Sequence, residues 1–127
     1  GTDVAGYVTW GGNGGQYTNY PFAVAFLGNS GWWIIQTIES YNGRRDNSQS
    51  SQGCFLQWFS STAFGGTNYS NTPVGAVSHV EEPELAYVND SWVYFHRWAS
   101  GRTFANAAWA SRKTTYFQAI GDPFVAR

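Results

Sequence analysis

One cysteine, one lysine, no methionine and a charged fraction of 12% are the scarcities of this 127-residue chain, and each excludes something. A lone thiol, Cys54, forms neither an internal disulfide nor a multi-cysteine metal site, so stability must come from packing or from other chains. With Lys113 as the single lysine and a formal charge of -1, the chain lacks the cationic surplus that phosphate neutralisation requires, which excludes a nucleic-acid binder. No apolar run approaches the roughly 18–20 residues that cross a bilayer, so no membrane span is expected. Without a methionine, translation cannot begin at Gly1, and the expectation is a processed chain or an excised fragment of a longer protein.

What is abundant is aromatic and small: 7 Trp, 8 Tyr, 9 Phe and 15 Gly. Together with Asn, Ser and Thr and few charges, this composition resembles that of secreted bacterial surface proteins, and predicts an extracellular or cell-surface location. The length fits a single domain over 1–127, large enough to bury a core.

Four short apolar runs predict strands: Val4–Trp10, Trp32–Ile38, Pro73–His79 and Tyr116–Ile120. Between them lie helical patterns. One begins near Ser51 or Gln52 and stops at Gly65–Gly66; a second is capped by Asp90 or Ser91, with Trp92, Phe95, Trp98 and Ala99 as its apolar face and Gly101 as its stop. A third has Thr103 as N-cap and Phe104, Ala107 and Ala108 on one face. Gly75 and Ala76 are small enough to let a helix pack closely on the third strand. Buried strands alternating with helices imply an α/β layered architecture, a mostly parallel sheet of about four strands flanked by helices. The Gly12–Gly15 loop lacks the Lys-Ser/Thr of a phosphate-binding loop.

The order of these pieces, "AVSHVEEP", a helix, "GRTFANAAWAS" and an apolar strand running into "IGDPFVAR", resembles the C-terminal half of the gingipain-like, caspase-fold peptidase superfamily. It is similar in particular to an uncharacterised bacterial secreted family within it, through Tyr7–Gly11, Thr103–Ala108 and Gly121–Pro123. The resemblance implies a sheet of about six strands, of which this chain supplies roughly four, so that one edge adjoins further strands. It also implies a His near Trp10–Gly12 and a nucleophilic Cys near Glu39–Tyr41. Neither residue type stands at either place, and Cys54 falls beyond the implied position.

His79 with Glu81 and Glu82 is the chain's most concentrated polar cluster, a combination able to share a proton or a cation. On a strand, His79 and Glu81 share a face and Glu82 points away. Two ligands are too few for a tight metal site, and the plainer reading is a strand end whose polar groups satisfy loop amides. Cys54 is read as a small buried hydrophobe rather than a nucleophile, and His96 as a solvated helix histidine. Arg97, Arg102 and Arg112 are expected to pair with Glu81, Glu82 or Glu84 at the surface. Trp10, Tyr17, Tyr20, Trp32 and Tyr41 lie in or beside loops, suited to protein contacts or to stacking on glycans. Asn68 and Asn89 begin sequons that would mark surface loops.

The functional expectation is a non-catalytic extracellular assembly subunit that self-associates into an oligomer or filament, with no metal and no cofactor. Two alternatives stand beside it: a cysteine peptidase-like hydrolase completed by a missing N-terminal half, and a glycan-binding module.

Overall fold

The structure is a computed structural model that describes residues 1–9, 20–28, 30–45 and 54–127. Its sheet has four strands in sequence order: β1 (Gly6–Thr9), β2 (Ile34–Thr37), β3 (Gly75–His79) and β4 (Phe117–Gly121). The first three are parallel, and β4 lies antiparallel to β3. Helices α1 (Tyr20–Ala23) and α2 (Phe55–Trp58) belong to one side; α3 (Ser91–Ala99) and α4 (Phe104–Ser111) belong to the other. This is an α/β fold with a mostly parallel sheet flanked by helices.

β1, β2 and β3 are shorter than the apolar runs that announced them, whereas β4 has the expected length of 5 residues, moved on by one position. β2 is buried at every residue, as a strand with neighbours on both edges and helices on both faces must be. Its odd residues turn to one side. Ile35 there joins Tyr20, Phe26, Trp33, Trp58 and Phe64 in an aromatic core, in which Phe26 stacks on Phe64 at 5.1 Å and both meet the Trp33 ring edge-on. On the opposite side Ile34 packs with Val77, Tyr94, Trp98, Phe104 and Ala107.

Two glycines set how closely that second helical layer sits. A Cβ on Gly75 would lie 2.4 Å from the Phe104 ring, and one on Gly6 would lie 2.6 Å from Phe95. Neither strand could carry alanine there without displacing a helix. The caps act as expected: the Asp90 carboxylate accepts from the Val93 N–H at 3.0 Å, and the Thr103 hydroxyl accepts from the Asn106 N–H at 3.3 Å.

Three expectations need correction. The helix foreseen up to Gly65–Gly66 is broken: α2 ends at Trp58, and after the polar Ser60–Thr62 stretch a single 3-10 turn, Ala63–Gly65, brings Phe64 into the core at φ 55°. Residues 51–53, where it was to start, lie outside the described segments. The buried face of α3 is Tyr94 and Trp98 rather than Trp92 and Ala99; Trp92 is exposed and stacks on His96 at 5.6 Å. Two of the three arginines find other partners: Arg97 donates to Asn106 Oδ1 at 2.8 Å and Arg112 lies over the Trp109 ring at 4.2 Å.

Adjacent tryptophans supply a test. Trp33 is fully buried and its indole N–H donates to the Asn71 carbonyl at 3.0 Å, whereas Trp32 is 59% exposed. Trp33→Ala should lose about 3–5 kcal/mol of stability, the range for truncating a buried aromatic. Trp32→Ala should change stability by no more than about 0.5 kcal/mol. Urea unfolding of the two variants measures both, and equal losses would contradict the assigned cores.

Candidate functional site

In an open α/β sheet the C-terminal ends of parallel strands converge on one edge, where loops rather than ladder bonds decide what the side chains meet. Here the ends of β2 and β3 carry Gln36, Thr37, Glu39, Ser40, Asn42, Ser78 and His79, all buried. Apolar strands that finish on so many polar groups must satisfy them locally.

On the aromatic side a relay satisfies them, apart from Asn42 Nδ2, which completes no hydrogen bond. Thr37 Oγ1 lies 2.8 Å from Ser78 Oγ and 3.0 Å from Asn42 Oδ1, and Ser78 Oγ also bonds Asn42 Oδ1. A hydroxyl owns one proton. The arrangement that satisfies both has Thr37 donating to Ser78 and Ser78 donating to Asn42, which ties β2, β3 and the β2 loop together. The loop turns sharply: Tyr41 adopts φ 62°, a left-handed conformation that costs a non-glycine residue about 1–3 kcal/mol.

On the other side the groups are less completely paired. Gln36 Nε2 donates to the Asn89 carbonyl at 3.0 Å, but Gln36 Oε1, both ring nitrogens of His79 and both side-chain polar atoms of Asn89 complete no hydrogen bond. Burial lowers the His79 pKa below its ordinary 6.5; the Glu39 carbonyl, the Asn89 side chain and the Glu82 carboxylate lie close enough to oppose that shift in part. The ring is therefore held neutral near pH 7.

At the rim, Ser40 Oγ donates to Glu82 Oε2. Glu39 is held mostly from solvent, and burial, then the Glu82 carboxylate, push its pKa from 4.5 to about 7. The rim is thus an asymmetric carboxyl pair, with Glu82 drawing a serine hydroxyl and Glu39 retaining a proton well above the carboxylate range.

Of the residues singled out from the sequence, His79 lies in this cluster, and its carboxylate neighbour is Glu82 rather than Glu81, although both glutamates are exposed. The strand ends at His79, so the alternation that paired His79 with Glu81 does not extend that far. Glu39 and Ser40 were seen only as places where a cysteine was missing; the signal for them was their position at the end of β2. Cys54 is buried at the start of α2, its N–H bonded to Gln57 Oε1 at 2.9 Å. Among the described residues no group of three or more His, Cys, Asp or Glu side chains is placed to hold a metal ion.

Tyr20 is a core residue, its hydroxyl taking the Trp58 indole N–H, so it cannot anchor a contact. Trp32 and Tyr41 are exposed, and Trp10 and Tyr17 lie outside the described residues. Of the two sequon asparagines Asn68 is exposed, while Asn89 is buried beneath α3 and is no surface acceptor. No family model, curated protein or solved structure matches the chain.

The two perturbed groups give opposite pH slopes. Between pH 4.5 and about 7 the unfolded chain has released a proton that folded Glu39 retains, so stability falls as pH rises through that window. Below pH 6.5 the unfolded chain takes up a proton that the buried His79 ring refuses, so stability also falls as pH drops. Glu39→Gln should remove the first slope and keep the second. Thermal melts from pH 4 to 8 show this as a higher melting temperature than wild type at pH 8 and a steeper fall below pH 6.5, where Glu39 no longer offsets His79; a pH profile parallel to wild type would mean that Glu39 ionises normally.

Proposed function

We propose that this chain is an assembly subunit, non-catalytic and extracellular, that builds larger structures by strand pairing at the edges of its sheet. One observation carries the reading. Soluble proteins blunt exposed sheet edges with charges, prolines, bulges or very short strands. β1 reads GYVT and β4 reads FQAIG, with no charged residue and no proline in either, and both ladders run in unbroken register. Although β1 has only 4 residues and β4 5, an edge that carries neither charge nor proline offers its outward amides and carbonyls to another strand.

The surface supports the same reading. Trp109 is 66% exposed, and Trp32, Trp92 and Phe124 are also exposed, a share of large apolar rings typical of interface centres. The resemblance to the gingipain-like superfamily belongs to the proposal as well: further strands beyond one edge would lie beside β1, the edge at which the parallel strands begin. The composition favours the extracellular setting. A thiol peptidase is disfavoured by Cys54, which is buried and caps a helix rather than facing a base.

Sedimentation of the untreated protein across micromolar concentrations tests the reading. The expected result is a species well above the 14.1 kDa of one chain, dissociating on dilution. A cooperative, folded monomer throughout that range would refute it. A thiol probe gives a second outcome: Cys54 should label slowly in the native state and quickly in urea, and rapid native labelling would revive the hydrolase.

A further inference from the structure

We propose that the two edges are complementary, so that β4 of one copy pairs antiparallel with β1 of the next in a head-to-tail association that does not close on itself. This deepens the assembly reading and rests on it.

The ladders fix which backbone groups are free. On β1 the Ala5 and Thr9 carbonyls accept from the Ile34 and Ile38 N–H groups, so the odd residues face β2, and Gly6 and Val8 turn their N–H and C=O outward. On β4 the Tyr116 carbonyl accepts from the Val80 N–H and the Asp122 N–H donates to the Val74 carbonyl, which leaves Phe117, Ala119 and Gly121 outward. Among the described residues the outward Ala119 carbonyl meets only the Gln118 side-chain amide, at 3.4 Å. Residues directly opposed in a ladder share a face. Gly6 abuts Phe95 of α3, and Phe117 packs into the core beneath α3 and α4, so both outward sets lie on the same helical side of the sheet. The parity needed to join the edges with the helical layers aligned is therefore already present.

Side chains agree with that parity. Beside β4 runs a groove of about 400 Å³ walled by Phe104, Ala105, Ala108 and Trp109 of α4 and floored by Ala119 and Gly121. No polar side chain lines it. Opposing Val8 to Ala119 sets Gly6 against Gly121 and carries the Val8 side chain, 39% exposed in one copy, into this groove. The same register brings Ala5 opposite Asp122.

A symmetric β4-to-β4 contact would offer the groove Ala119 and Gly121, too small to fill it, and Phe117, which is already packed against the core. The head-to-tail contact repeats every four strands, a rise of about 19 Å per copy, and strand twist turns the series into a helical filament.

Edge-blocking variants test the arrangement. Val8→Lys retains only its β4 edge and Ala119→Lys only its β1 edge; both positions are exposed, and circular dichroism checks their folding. Each variant alone should sediment at 14.1 kDa where the wild type is assembled, and an equimolar mixture should form a pair of twice that mass and nothing larger. A dimer of either variant alone would establish a symmetric contact instead, and a mixture that stays monomeric would show that these edges do not meet. Both results overturn the head-to-tail contact while leaving assembly itself standing. A monomeric wild type defeats the assembly reading and this inference together.

Discussion

Complete burial of β2 is the constraint on which the rest of this fold depends. A strand with ladder neighbours on both edges and side chains on both faces must be covered twice, by an aromatic layer around Trp33 and by a helical layer around Trp98. Covering the central strand consumes the large side chains near the middle of the sheet. The margins are left thin: β1 alternates between exposed and half-buried residues, and β4 is nowhere buried.

The same constraint shapes the polar rim. Because Gln36, Thr37 and His79 continue strands that are already buried, their polar atoms inherit that burial and must find partners inside it. The Thr37–Ser78–Asn42 relay pairs both hydroxyls and the Asn42 carbonyl oxygen but leaves Asn42 Nδ2 without a partner, and the unpaired atoms of Gln36, His79 and Asn89 form a less complete solution still. The shifted ionisations of Glu39 and His79 follow from this geometry, each group being kept neutral where water is excluded.

Much of the fold was legible along the chain. Alternating or continuous apolar runs located all four strands, and cap residues located α3 and α4, because both signals are local: side-chain period and backbone hydrogen bonding act over a few residues. The face of α3 was misjudged because Trp92 and Trp98 are equally apolar, and only the position of the sheet decides which one it covers. The helix through Ser60–Thr62 was broken by the demand that Phe64 reach the aromatic core. Asn89 read as a surface sequon because nothing in Asn-Asp-Ser reveals that Gln36, 53 residues away, donates to its carbonyl.

By itself, then, the sequence determined the class of the fold, the order of its elements, the caps of its longer helices and the absence of charge from both edge strands. Each of these follows from the identity of neighbouring residues. Tertiary structure alone decided that Glu39, Ser40 and Glu82 meet, that Tyr20 is core while Trp32 is surface, and that the outward amides of β1 and β4 lie on the same helical side. Those facts depend on strand order, register and crossover, which bring together residues tens of positions apart and leave no mark in any local stretch.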